Sequence, residues 1–123
     1  MSNKIYVLLL CVSVCVWACD DDDAVVVTEE PQSICDSLDV LYTNDIEPLL
    51  ADNGCSGIYC HGGGAGGFTM SDYTSVKTSA QDPKFLKAIR HETGVSPMPK
   101  GGGKLSDAEI QLIECWIQNG YRE

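Results

Sequence analysis

Residues 55–61 read Cys55-Ser56-Gly57-Ile58-Tyr59-Cys60-His61, two thiols and an imidazole in one short stretch. Cys60 and His61 are neighbours, whereas four residues separate Cys55 from Cys60. The segments on either side carry helix punctuation. Upstream, Asn44 and Glu47 have capping-box spacing, Pro48 suits a first helical turn, and Ile46, Leu49 and Leu50 share a face. Downstream, a short helix is expected after Ser71 over 73–78. Asp82-Pro83 is an N-cap and first-position pair, Phe85, Leu86 and Ile89 follow on one face, and Gly94 is the expected stop. Ser106 and Glu109 form another capping box, Ile110, Ile113 and Ile117 recur at helical spacing, and Gly120 ends the run. Strand-like alternation is weak, so the pattern predicts a mainly α domain.

Between these helices lie the glycine-rich stretches 62–67 and 101–103. Glycine loses much backbone entropy on ordering, so such loops stabilise little. A domain of this size and composition is expected to bury a thin core. A bound group with a large apolar face would supply the deficit.

The N-terminal stretch sets the compartment. One positive charge, Lys4, precedes the almost wholly apolar run 5–16, which is too short to span a bilayer and fits a secretory leader. The run ends at Val16-Trp17-Ala18-Cys19, which resembles a bacterial lipoprotein processing site. Residues 1–18 are expected to be a lipoprotein signal peptide, and Cys19 the lipidated first residue of the mature chain. Several acyl chains would anchor it firmly, since each buried methylene adds about 0.8 kcal/mol. Loss of Lys4 takes the formal charge from −10 to −11. Such acidity argues against nucleic acid or anionic lipid surfaces as partners. Four acids at 20–23, then Glu29, Glu30 and Pro31, mark 19–33 as a flexible acidic tether, leaving 34–123 as the folded domain.

In an exported chain, cysteines point to disulfides or covalent haem. The usual haem attachment signature is Cys, two residues, Cys, His: two thiols bond the porphyrin's vinyl groups and the adjacent His reaches the iron. Cys60-His61 keeps that adjacency. The four-residue spacing departs from the signature and requires the segment to loop outward, for which Gly57 offers freedom.

Residues 45–121 resemble the class I c-type cytochrome domains of short single-haem bacterial lipoproteins, including the planctomycete-type group. The likeness rests on Leu49-Leu50 before Cys55 with Cys60-His61-Gly62 after it, and on Gly66-Gly67-Phe68-Thr69-Met70 leading to Tyr73. It rests also on Ser96-Pro97-Met98-Pro99 and its glycine run, followed by Lys104-Leu105-Ser106 and a last helix with Trp116-Ile117 and Gly120. Some members carry the wider haem spacing. The resemblance implies a small cytochrome c-like helical domain wrapped around one covalent haem c. Cys55 and Cys60 would hold the porphyrin, with His61 and Met98 as axial iron ligands. Pro97 and Pro99 stiffen the loop bearing Met98, and Met–His ligation raises the reduction potential relative to bis-His. His91 and Met70 are rivals for the second position. Tyr59, Phe68 and Trp116 are expected to pack around the porphyrin.

Cys35 and Cys115 remain once lipid and haem have taken their cysteines. In this family the first and last helices cross, which implies a Cys35–Cys115 disulfide; two buried free thiols are the other reading. With two protein ligands on iron there is no open position, so the resemblance implies an electron carrier rather than an enzyme. Its partners would be redox proteins, and its location the cell envelope, held to the membrane by lipid. No nucleophilic triad, carboxylate pair or phosphate loop stands out. The alternatives are a small exported zinc-binding lipoprotein, using Cys55, Cys60, His61 and His91, or an interaction lipoprotein stabilised by a Cys55–Cys60 disulfide.

Overall fold

The computed structural model describes residues 31–123. The expected signal peptide, the lipidated Cys19 and the tether as far as residue 30 lie outside the described residues. All regular structure among the described residues is helical. The order is α1 (Pro31–Ser37), a π-helical turn (Tyr42–Ile46) running into α2 (Glu47–Asp52), two 3-10 turns (His61–Gly63 and Ala65–Gly67), α3 (Tyr73–Ala80), α4 (Pro83–Ile89) and α5 (Asp107–Gln118). The first helix thus begins at Pro31, ahead of the expected domain start at residue 34. No helix among the described residues is long and apolar enough to cross a membrane.

Three helix starts follow their capping chemistry. Ser106 Oγ accepts from the Glu109 N–H and the Glu109 carboxylate accepts from the Ser106 N–H, which caps α5 reciprocally. Asp82 Oδ1 accepts from the Lys84 N–H ahead of Pro83 on α4. Asp72 and Ser75 make a second reciprocal box on α3, which extends to Ala80, beyond the expected 73–78. The box expected from Asn44 and Glu47 does not form. The chain is already helical at Tyr42, so Asn44 lies within a turn rather than at its start, and Asp45 Oδ2 instead accepts from the Leu41 N–H at 2.8 Å.

Nor does Gly94 end α4. The helix stops at Ile89, and His91 adopts a left-handed φ of 58°. The His91 N–H bonds the Ala88 carbonyl and the Glu92 N–H the Lys87 carbonyl. This is the Schellman arrangement, with histidine where glycine is usual. α5 ends in the same way, with Gly120 at φ 84°, as expected.

α1 lies against the end of α5. Cys35 and Cys115 are joined as a disulfide, and the Asn119 side-chain amide donates to the carbonyls of Cys35 (2.9 Å) and Leu38 (3.1 Å). Beside this bridge Trp116, wholly buried, gathers Tyr42, Tyr73 and Tyr121, with ring centroids 6.0, 6.5 and 5.2 Å away. The Trp116 indole N–H donates to the Arg122 carbonyl and the Tyr73 hydroxyl to the Tyr121 carbonyl, so both donors are satisfied within the cluster. Trp116 belongs to this close-packed half of the domain and not, as expected, to a ligand pocket. The other face of α5 turns Ile113 toward a cavity.

Candidate haem site

A cavity of about 420 Å³ lies between the 55–70 segment and α4. That volume is in the range of small-molecule and cofactor sites. Leu50 of α2, Phe85, Ala88 and Ile89 of α4, and Leu105 and Ile113 give it apolar walls. The apolar periodicity read in α4 and α5 is thus, in part, the periodicity of the cavity wall. Cys55, His61, Phe68, Met70 and Met98 complete the lining.

The segment carrying the thiols is a closed loop. The His61 N–H donates to the Cys55 carbonyl at 3.0 Å, and Gly57 accepts from the N–H groups of Cys60 (2.9 Å) and Gly62 (3.1 Å). The four residues between the cysteines bulge outward, leaving Ile58 75% and Tyr59 93% exposed. Tyr59 therefore does not pack around a pocket. Gly57 is not the residue that makes the loop possible, because its φ is not left-handed. Gly62 and Gly63 do so: a Cβ on either would stand 2.1 Å from a backbone oxygen, that of Ser56 or Ile58 respectively. The glycines after the imidazole give the bulge room to fold back.

His61 is buried, 8% exposed. Its Nδ1 lies 3.4 Å from the Phe68 carbonyl, its carbonyl accepts from the Met70 N–H at 3.0 Å, and the Phe68 ring stacks on the imidazole at 5.3 Å. A carbonyl can only accept, so Nδ1 is the donor in this contact. A backbone oxygen on one ring nitrogen is the contact that orients a metal-ligating histidine. Gly66 passes close by; a Cβ there would lie 3.6 Å from His61 Cε1.

Cys55 is half-buried on the cavity wall, and burial, with the neighbouring Cys60 thiol second, pushes its pKa up. Cys60 is exposed on the same loop and does not line the cavity. Met98 is half-buried on the cavity wall, and Met70 is buried, 6% exposed. The structure thus brings Cys55, His61, Met98 and Met70 to one cavity. His91 is not on the lining; its Nε2 lies 3.0 Å from the Met98 carbonyl. Nor does the four-residue zinc set come together: among the described residues no three His, Cys, Asp or Glu side chains are grouped as a metal ion requires.

These residues fit a haem. The walls are apolar, one imidazole is oriented with a free nitrogen, a thioether is available at a second point, and two thiols, both unpaired, lie on one loop. Sequence reasoning missed the part of Gly62 and Gly63, which only their contact with the 56–58 backbone reveals. It missed the His91–Met98 bond too, since a histidine at a left-handed position carries no sequence signal. Compared with protein-family models, curated proteins and solved structures, the chain finds no match in any of the three.

Proposed function

We propose that this protein is a single-haem c-type cytochrome, an electron carrier held to a bacterial envelope membrane by lipid on Cys19. The observation that carries the reading is the meeting of Cys55, His61 held at Phe68, and Met98 at one largely apolar cavity. Cys55 and Cys60 would hold the porphyrin covalently, with His61 Nε2 and the Met98 sulfur as axial ligands. Bound haem supplies a one-electron couple whose potential is set by its ligands and its burial. The chain's part would be to orient the imidazole through Phe68, keep water from the apolar walls, and supply an imidazole and a thioether to the iron. With both ligands supplied by the chain, the iron would exchange electrons without bond chemistry. The acidity of the chain favours a redox protein with a basic docking face as partner, and tethering would raise the local concentration near a membrane-bound one.

The test is to produce the full chain in a host able to attach haem. The expected product is red, keeps its colour on denaturation, and yields a peptide holding Cys55 and Cys60 that is heavier by one haem. A colourless, iron-free product from that host would overturn the reading.

A further inference from the structure

We propose that His91 is a positioning residue that clamps the Met98 loop against the cavity, through a hydrogen bond from its Nε2–H to the Met98 carbonyl. The inference rests on the haem reading for its consequence, while the clamp itself stands on this chain's own geometry. Both peptide groups of Met98 are tied to the same place. Its N–H donates to the Ala88 carbonyl at 3.0 Å, and its carbonyl faces His91 Nε2 at 3.0 Å. Since a carbonyl only accepts, Nε2 must be the protonated nitrogen. Ala88 and Ile89 themselves line the cavity, so the anchor is continuous with the wall.

The backbone at His91 supports this role. A left-handed φ of 58° is uncommon for a residue other than glycine, and such conformations persist where the surroundings over-determine them. A glycine at this turn would make the same Schellman bonds without strain but would leave the Met98 carbonyl without its side-chain donor. Histidine keeps the turn and adds the clamp. A thioether is a weak iron ligand, so the fraction of molecules with sulfur bound depends on how firmly its loop is held.

The test compares His91→Asn, His91→Gly and His91→Gln in the haem-loaded full chain. Asparagine and glycine both tolerate the left-handed turn but cannot reach the carbonyl; glutamine can still present an N–H to it. Two readouts are taken: the long-wavelength sulfur-to-iron absorption band, and amide hydrogen exchange of residues 95–99. Loss of one neutral hydrogen bond is expected to raise exchange at Met98 roughly fivefold. In the Asn and Gly variants the band should weaken to match, and in the Gln variant both readouts should return toward wild type. Wild-type band and exchange in the Asn and Gly variants would overturn the clamp, as would a Gln variant no better than Asn. The two readings fail separately. A wild-type protein without haem overturns the function, yet exchange at Met98 in the same variants still decides the clamp.

Discussion

Asn53 Nδ2 donates to Glu109 Oε1 at 2.8 Å and also to the Leu49 carbonyl at 3.0 Å, joining the end of α2 to the first turn of α5. Asn53 stands two residues before Cys55, so the bond fixes where the thiol loop leaves the helical frame. Glu109 is the shared partner, since its other oxygen closes the α5 capping box.

These bonds hold the Glu109 carboxyl below its ordinary 4.5, Asn53 contributing most and Ser106 next. A depressed carboxylate adds stability that is present above its unfolded value and is lost as pH falls through its folded one. Thermal scans are therefore expected to show a steeper loss of stability below about pH 4.5 in the wild type than in Glu109→Gln. Equal slopes would remove Glu109 from the acid response.

Met98 and Met70 line the same cavity but are expected to behave differently. Met98→Ala should keep covalent haem, lose the sulfur-to-iron band and lower the reduction potential, as expected when a thioether ligand is removed. Met70→Ala should keep the band and instead lower stability by roughly 2–5 kcal/mol, the cost of emptying a buried methionine site. Visible spectra, potentiometry and denaturant unfolding of the two variants check this, and a band lost with Met70 instead would exchange their roles.

The glycines behind His61 are a steric requirement. Gly62→Ala drives a Cβ into the Ser56 carbonyl, and backbone cannot yield as a side chain can. We expect poor haem incorporation and a destabilisation of about 1–3 kcal/mol, measured by haem content per chain and by urea unfolding. Gly103→Ala, where a Cβ meets nothing within 4 Å, is the matched control.

Thiol reactivity separates the two attachment cysteines. In protein made without haem attachment, Cys60 is exposed, whereas Cys55 is half-buried with a raised pKa. Iodoacetamide at neutral pH is expected to label Cys60 well before Cys55, read by peptide mass spectrometry. In haem-loaded protein neither should label.

The disulfide closes a separation of 80 residues, for which the chain-entropy model gives roughly 4.5 kcal/mol. Replacing Cys35 and Cys115 together by serine should cost something near that, measured by chemical denaturation. The Asn119 bonds to α1 remain in the variant and hold its helices in register.

Much of the helical frame was legible because it depends on local chemistry. Asp82-Pro83 and Ser106 with Glu109 announce helix starts that the structure keeps, and the apolar spacing of Phe85, Ile89, Ile110 and Ile113 marks buried faces. Periodicity does not say which neighbour a face meets. Trp116, expected against a porphyrin, instead packs among Tyr42, Tyr73 and Tyr121. Asn44 failed as a cap because a competing local bond from Leu41 to Asp45 had already begun a turn. His91 was hardest to read, since its role depends on a left-handed backbone that its sequence neighbours do not encode.

Cys115 is wholly shielded and Cys35 is 2% exposed, while Cys60 stands open and Cys55 is half-covered. Thiol–disulfide exchange needs access for the attacking thiolate. Once the helices have closed, a mild reductant can therefore keep the loop pair as thiols without undoing the inner bond. Folding itself sorts the four sulfurs into two fates.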